Sequence, residues 1–117
     1  MSNNKTFLLY LLIEKYQNLI NQYRYSKNIA KINLINFDTS QVTDISYLFE
    51  KCEKLVEINT SKFNTGKVFD MSFMFYDCKS LKYINFSNFD TSSFTEMNSM
   101  FKGCNSLTSL DISNFDN

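Results

Sequence analysis

Apolar residues recur along this chain at a fixed interval. Phenylalanine stands at 37, 63, 89 and 115, cysteine at 52, 78 and 104, and leucine at 55, 81 and 107, each step being 26 residues. Phe49, Phe75 and Phe101 follow the same interval. A period of this length in many columns is the signature of a repeat architecture, in which each period is one structural unit that buries its apolar face against its neighbours. The predicted units run 29–54, 55–80 and 81–106, with a partial fourth at 107–117, and residues 1–28 precede them.

Within a unit the pattern divides in two. The first part places apolar residues at positions 1, 4 and 6, as in Leu81, Ile84 and Phe86. Its alternation suits a short strand with those side chains inward. Thr60 is the one polar residue in these columns, which otherwise hold Ile29, Ile32, Leu34, Leu55, Ile58, Leu107, Leu110 and Ile112. The second part opens on turn-forming residues such as Asp90-Thr91-Ser92. Phe94, Met97, Met100, Phe101, Cys104 and Leu107 then follow at steps of mostly three, which predicts a short α- or 3₁₀-helix. Asp44, Asp70 and Glu96 fall where a helix start favours negative charge, with Thr95 as a capping residue. The predicted fold class is therefore an α/β solenoid of strand–turn–short-helix rungs.

Ahead of the units, Leu8, Leu12, Tyr16, Leu19 and Tyr23 form one apolar stripe at helical spacing, predicting a helix over 4–25. Its expected role within residues 1–28 is to cap the first unit, because terminal segments of such arrays are atypical and carry one polar face. An oligomerisation seam is the alternative. The apolar run Phe7–Ile13 is too short to span a bilayer and lacks a small-residue cleavage site downstream. As written, the chain is expected to be cytoplasmic.

Composition narrows the functional classes. Twelve basic residues balance twelve acidic ones, and no polybasic patch marks a nucleic-acid or anionic-membrane surface. The chain has no histidine for general acid–base work, and its two glycines, Gly66 and Gly103, form no phosphate loop. Three cysteines without histidine make a poor zinc set, and their spacing predicts small buried apolar side chains instead. Asp38, Asp90 and Asp116 recur with the period, but Asn64 interrupts them. That favours turn capping over a calcium ladder. No enzyme activity, metal or cofactor is expected.

The repeat pattern also resembles a known family. Asp38 to Phe49, Met71 to Cys78 and Ser106 to Asp116 are similar to the recurring S-L-x-x-L-D-x-S-N-F-D-T-S-x-V-T-D-M-S-x-M-F-x-x-C of BspA-type leucine-rich repeat surface proteins of mycoplasmas and other bacteria. The likeness covers residues 29–117 and implies a leucine-rich-repeat-like stack, partner binding and display at the cell surface. Phe37, Phe63, Phe89 and Phe115 stand where ordinary leucine-rich repeats carry an inward Asn, so no Asn ladder is expected there.

Function is expected on the outward strand positions, Lys31, Asn33, Glu57, Asn59, Lys82, Tyr83, Asn85 and Asp111, as a surface for a protein partner. A plain solvated strand face is the competing reading. Tyr47, Phe73 and Tyr76 are either a second contact patch or packing between units. Leu107, Leu110, Ile112 and Phe115 form an expected strand whose uncovered edge would pair two copies as a homodimer, and a structural element that self-assembles through this last repeat is the alternative function.

Overall fold

The computed structural model describes residues 18, 20–33, 39–86, 88–92 and 95–111. Most of the predicted helix over 4–25, and Leu34, Phe37, Asp38, Phe94, Ile112, Phe115 and Asp116, lie outside these residues. Strand β1 is Lys31–Asn33 and strand β2 is Glu57–Asn59. They form one two-stranded parallel sheet, with Ile32 opposite Ile58. Helical backbone among the described residues is confined to 18 and 20–23.

These elements correct the predicted fold class. The described chain is not a leucine-rich-repeat-like α/β solenoid of strand–turn–helix rungs. Where the third and fourth strands were expected, Tyr83 and Ser109 make only isolated parallel bridges. Where helices were expected, the chain makes consecutive tight turns.

The backbone shows why no helix forms. Tyr47, Phe73 and Ser99 have φ of 64°, 60° and 54°, and Lys51, Asp77 and Gly103 have 58°, 57° and 82°. A left-handed residue every few positions interrupts the right-handed φ that a helix requires. The amides sort accordingly into two sets. Leu48, Glu50 and Cys52 donate to carbonyls three residues back, at Ile45, Tyr47 and Phe49. Ile45, Tyr47, Phe49 and Lys51 donate instead to the carbonyls of Asp70, Ser72, Met74 and Tyr76, at 2.7–3.0 Å. Met71, Phe73, Phe75 and Asp77 repeat this arrangement with Glu96, Asn98, Met100 and Lys102. Alternate N–H groups thus stitch one segment to the segment one period later. In this form the period seen in the sequence reappears as hydrogen-bond register.

The acidic residues expected at the helix starts have another role. Asp44 Oδ1 accepts the Ser46 N–H at 2.9 Å and its hydroxyl at 2.6 Å, and Asp70 Oδ1 accepts the Ser72 N–H at 2.8 Å. Each carboxylate closes a local turn two residues on, the alternative that short polar side chains offer to helix. Asp90 does the same: hydrogen bonds from Ser92 hold its carboxyl below the usual range.

The core lies between the strand pair and the turns. Phe49, Phe75, Leu55, Leu81, Met71, Met74 and Val68 are fully buried. Phe75 stacks on Phe49 at 5.5 Å between centroids and on Phe101 at 5.9 Å, with the Phe86 edge at 6.3 Å. Offset and edge-on ring pairs of this kind add to the hydrophobic gain of burial.

The cysteines are free, as the columns predict, with Cys52 and Cys78 buried and Cys104 partly so. Their thiols donate at 3.0 Å to the carbonyls of Tyr23, Phe49 and Phe75. Burial pushes Cys52 and Cys104 up to about 11, and Cys78 higher still. Such thiols stay protonated, so they carry little nucleophilic or metal-binding character near neutral pH.

Candidate functional site

The alternation in β1 and β2 divides their side chains by face. Ile32 and Ile58 are buried, while Lys31, Asn33, Glu57 and Asn59 are exposed. Parallel register places Lys31 beside Glu57 and Asn33 beside Asn59. Between them lies an open groove of about 260 Å³, lined by these four side chains and Ile32. The Lys31 ammonium stands 3.7 Å from the Glu57 carboxylate, with side chains 77% and 65% exposed. An ion pair this open contributes little to stability, and both charges remain within reach of a partner.

The polar column continues past the strands. Glu57 bridges to Tyr83 and Tyr83 to Ser109, both in parallel. Tyr83 is 57% exposed, the most open large apolar side chain among those described. Lys82, Asn85 and Asp111 are exposed as well. The Val56 carbonyl accepts the Lys82 N–H, and the Lys82 carbonyl accepts the Thr108 N–H, both at 3.3 Å. The Asn85 carbonyl accepts the Thr60 hydroxyl at 2.8 Å. That bond explains the polar residue in the apolar columns, since Thr60 is buried and its hydroxyl is satisfied.

The structure therefore brings Lys31, Asn33, Glu57 and Asn59 together around one groove and sets Tyr83 next along the same column. Of the expected strand edge, the described residues contribute one isolated bridge, at Ser109. Leu107 packs against the core, Leu110 is 38% exposed, and Ile112 and Phe115 lie outside the described residues. Among the described residues no group of three or more His, Cys, Asp or Glu is placed to hold a metal ion. No helix among them is long and apolar enough to cross a membrane.

Two features escaped the sequence reading. Thr39, Thr65 and Thr91 are buried one period apart. The Thr39 hydroxyl donates to the Asn64 carbonyl at 3.0 Å and accepts the Asn64 N–H at 2.7 Å. Thr65 treats Asp90 in the same way, at 3.1 and 2.7 Å. The signal was visible as a threonine every period, but threonine is also an ordinary turn residue. The second feature is Arg24, whose Nε and Nη2 both reach Glu50 Oε2 at 2.8 Å. Its guanidinium lies over the Tyr25 and Tyr47 rings at 4.7 and 4.5 Å. The pair stands one 26-residue period apart, but Arg24 precedes the predicted units and its column, Arg24, Glu50, Tyr76 and Lys102, holds unlike residues.

The family model described as "Mycoplasma protein of unknown function, DUF285" matches residues 17–117. The chain belongs to the DUF285 family. The matched stretch of this DUF285 chain holds the strand pair, the groove and every described turn. No curated protein and no solved structure matches the chain.

Proposed function

We propose that this DUF285 chain is a non-enzymatic protein-binding module. Its contact surface is the exposed face of β1 and β2, extended along the column through Lys82, Tyr83, Asn85 and Asp111. The observation that carries this reading is Tyr83, a large ring left 57% exposed in line with a groove walled by hydrogen-bonding and charged side chains. An isolated polar strand face needs no such ring, and tyrosine is among the residues that dominate binding energy at interfaces. The likeness of the repeats to BspA-type surface proteins, a finer assignment than the family itself, also favours recognition over catalysis and favours display at the cell surface.

The test is quantitative capture from the source organism with the immobilised chain. Tyr83→Ala and Glu57→Lys are expected to weaken retention of the captured partner about tenfold, the effect of losing one interface anchor. Phe69→Ala, an exposed ring outside the proposed face, serves as the control and should leave retention unchanged. Equal retention by all variants would refute the strand face as the contact surface.

A further inference from the structure

A second surface lies in the turns and stands independently of the strand face. Tyr47 and Phe73 occupy the same place one period apart, and their rings stack at 5.0 Å with planes only 2° apart. Both are half-buried. Both also sit in left-handed backbone, an uncommon and costly conformation for bulky residues. At one end of this column the Arg24 guanidinium covers the Tyr47 ring, anchored by Glu50. Toward the other end the next residue in register is Ser99. Its φ of 54° matches those of Tyr47 and Phe73, and the Asn98 carbonyl accepts the Phe73 N–H at 2.9 Å. A side chain at 99 therefore leaves the backbone in the direction that the rings take, but serine supplies only a hydroxyl. Among the described residues the rings in contact with Phe73 are Tyr47 and Tyr76, the latter tilted at 5.6 Å.

We infer that the place above Ser99, against Phe73 and Tyr76, receives an aromatic side chain from a protein partner. A planar group is required because the column is built of parallel planes about one strand spacing apart. Charge decides between a ring and a guanidinium. Arg24 stacks on Tyr47 only with Glu50 beneath it, and the residues equivalent to Glu50 in the next two periods are Tyr76 and Lys102. A cation arriving at Ser99 would find a ring and an exposed ammonium where Arg24 finds a carboxylate. An aromatic ring meets no such penalty.

The experiment titrates the full chain with N-acetyl-tyrosinamide and, separately, with N-acetyl-argininamide, following the Phe73 ring and Ser99 amide by NMR. Saturable shifts at both positions are expected with the tyrosine probe and not with the arginine probe. Ser99→Tyr fills the place from within and should abolish the shifts. Tyr47 shows that the backbone accepts a ring in this conformation, so that variant is expected to fold. Absence of saturable shifts, equal shifts with both probes, or shifts that survive in Ser99→Tyr would each overturn the inference.

Discussion

Phe75→Ala lowers the thermal midpoint by roughly 15 °C, an effect set by a loss of about 3–5 kcal/mol for a buried Phe→Ala change. Phe75 has no exposed surface, and its ring touches three others: Phe49, Phe101 and Phe86. Truncation therefore removes transfer free energy and three ring contacts, and it leaves a cavity. The Phe75 N–H holds Met100 and the Met74 carbonyl accepts from Phe49, so collapse onto the cavity would strain both ladders. Domains of this size have about 5–15 kcal/mol in total, which puts the variant near the edge of folding. Phe69→Ala is the comparison. That ring is 51% exposed, and its loss should fall within about 0.5 kcal/mol. Differential scanning calorimetry of both variants decides the matter: equal midpoints would contradict the core assignment.

Arg24→Ala is the second large effect, expected to cost about 3 kcal/mol, the lower end for breaking a buried ion pair from one side. Glu50 is 7% exposed, and two guanidinium nitrogens reach its Oε2. Without them the carboxylate stays buried with its charge uncompensated. The substitution also removes the cation from the Tyr25 and Tyr47 faces, although Arg24 itself is one-third exposed, which limits the loss. The comparison with Arg24→Ala/Glu50→Gln separates causes. If the stranded charge dominates, the double variant recovers most of the stability. If the guanidinium matters chiefly through ring packing, both variants are equally destabilised. Chemical denaturation of the three proteins distinguishes these outcomes.

Legibility in the sequence followed the physics of each feature. The buried columns of Phe49 and Phe75, Leu55 and Leu81, and Cys52 and Cys78 could be read because burial of like residues repeats with the period. The helices could not. Apolar steps of three, as from Met97 to Met100, arise equally from a helical stripe and from successive turns with bonds to the third residue back. Left-handed φ is usually announced by glycine, yet among the described residues it falls on Tyr25, Tyr47, Lys51, Phe73, Asp77 and Ser99, with Gly103 alone conforming. At Gly103 a Cβ would stand 2.0 Å from Asp77 Oδ1, so glycine is required there for space as well. Asp44 and Asp70 misled for a related reason: the residues that cap helices are those that close turns. The expected strands shrank to β1, β2 and two bridges because little of each period runs extended before the chain turns again. On the candidate surface, exposure of Lys31, Glu57 and Tyr83 was legible from alternation, whereas the Arg24–Glu50 anchor, although one period apart, lies in a column of unlike residues (Arg24, Glu50, Tyr76, Lys102) that repeats no chemistry.

Hydrogen-bond scalar couplings test most directly whether alternate amides of the turn segments cross to the segment one period later. The Phe49 and Phe75 amides should couple to the carbonyls of Met74 and Met100, respectively. Coupling of Phe49 to Ile45, and of Phe75 to Met71, would show α-helices in these segments and contradict the account.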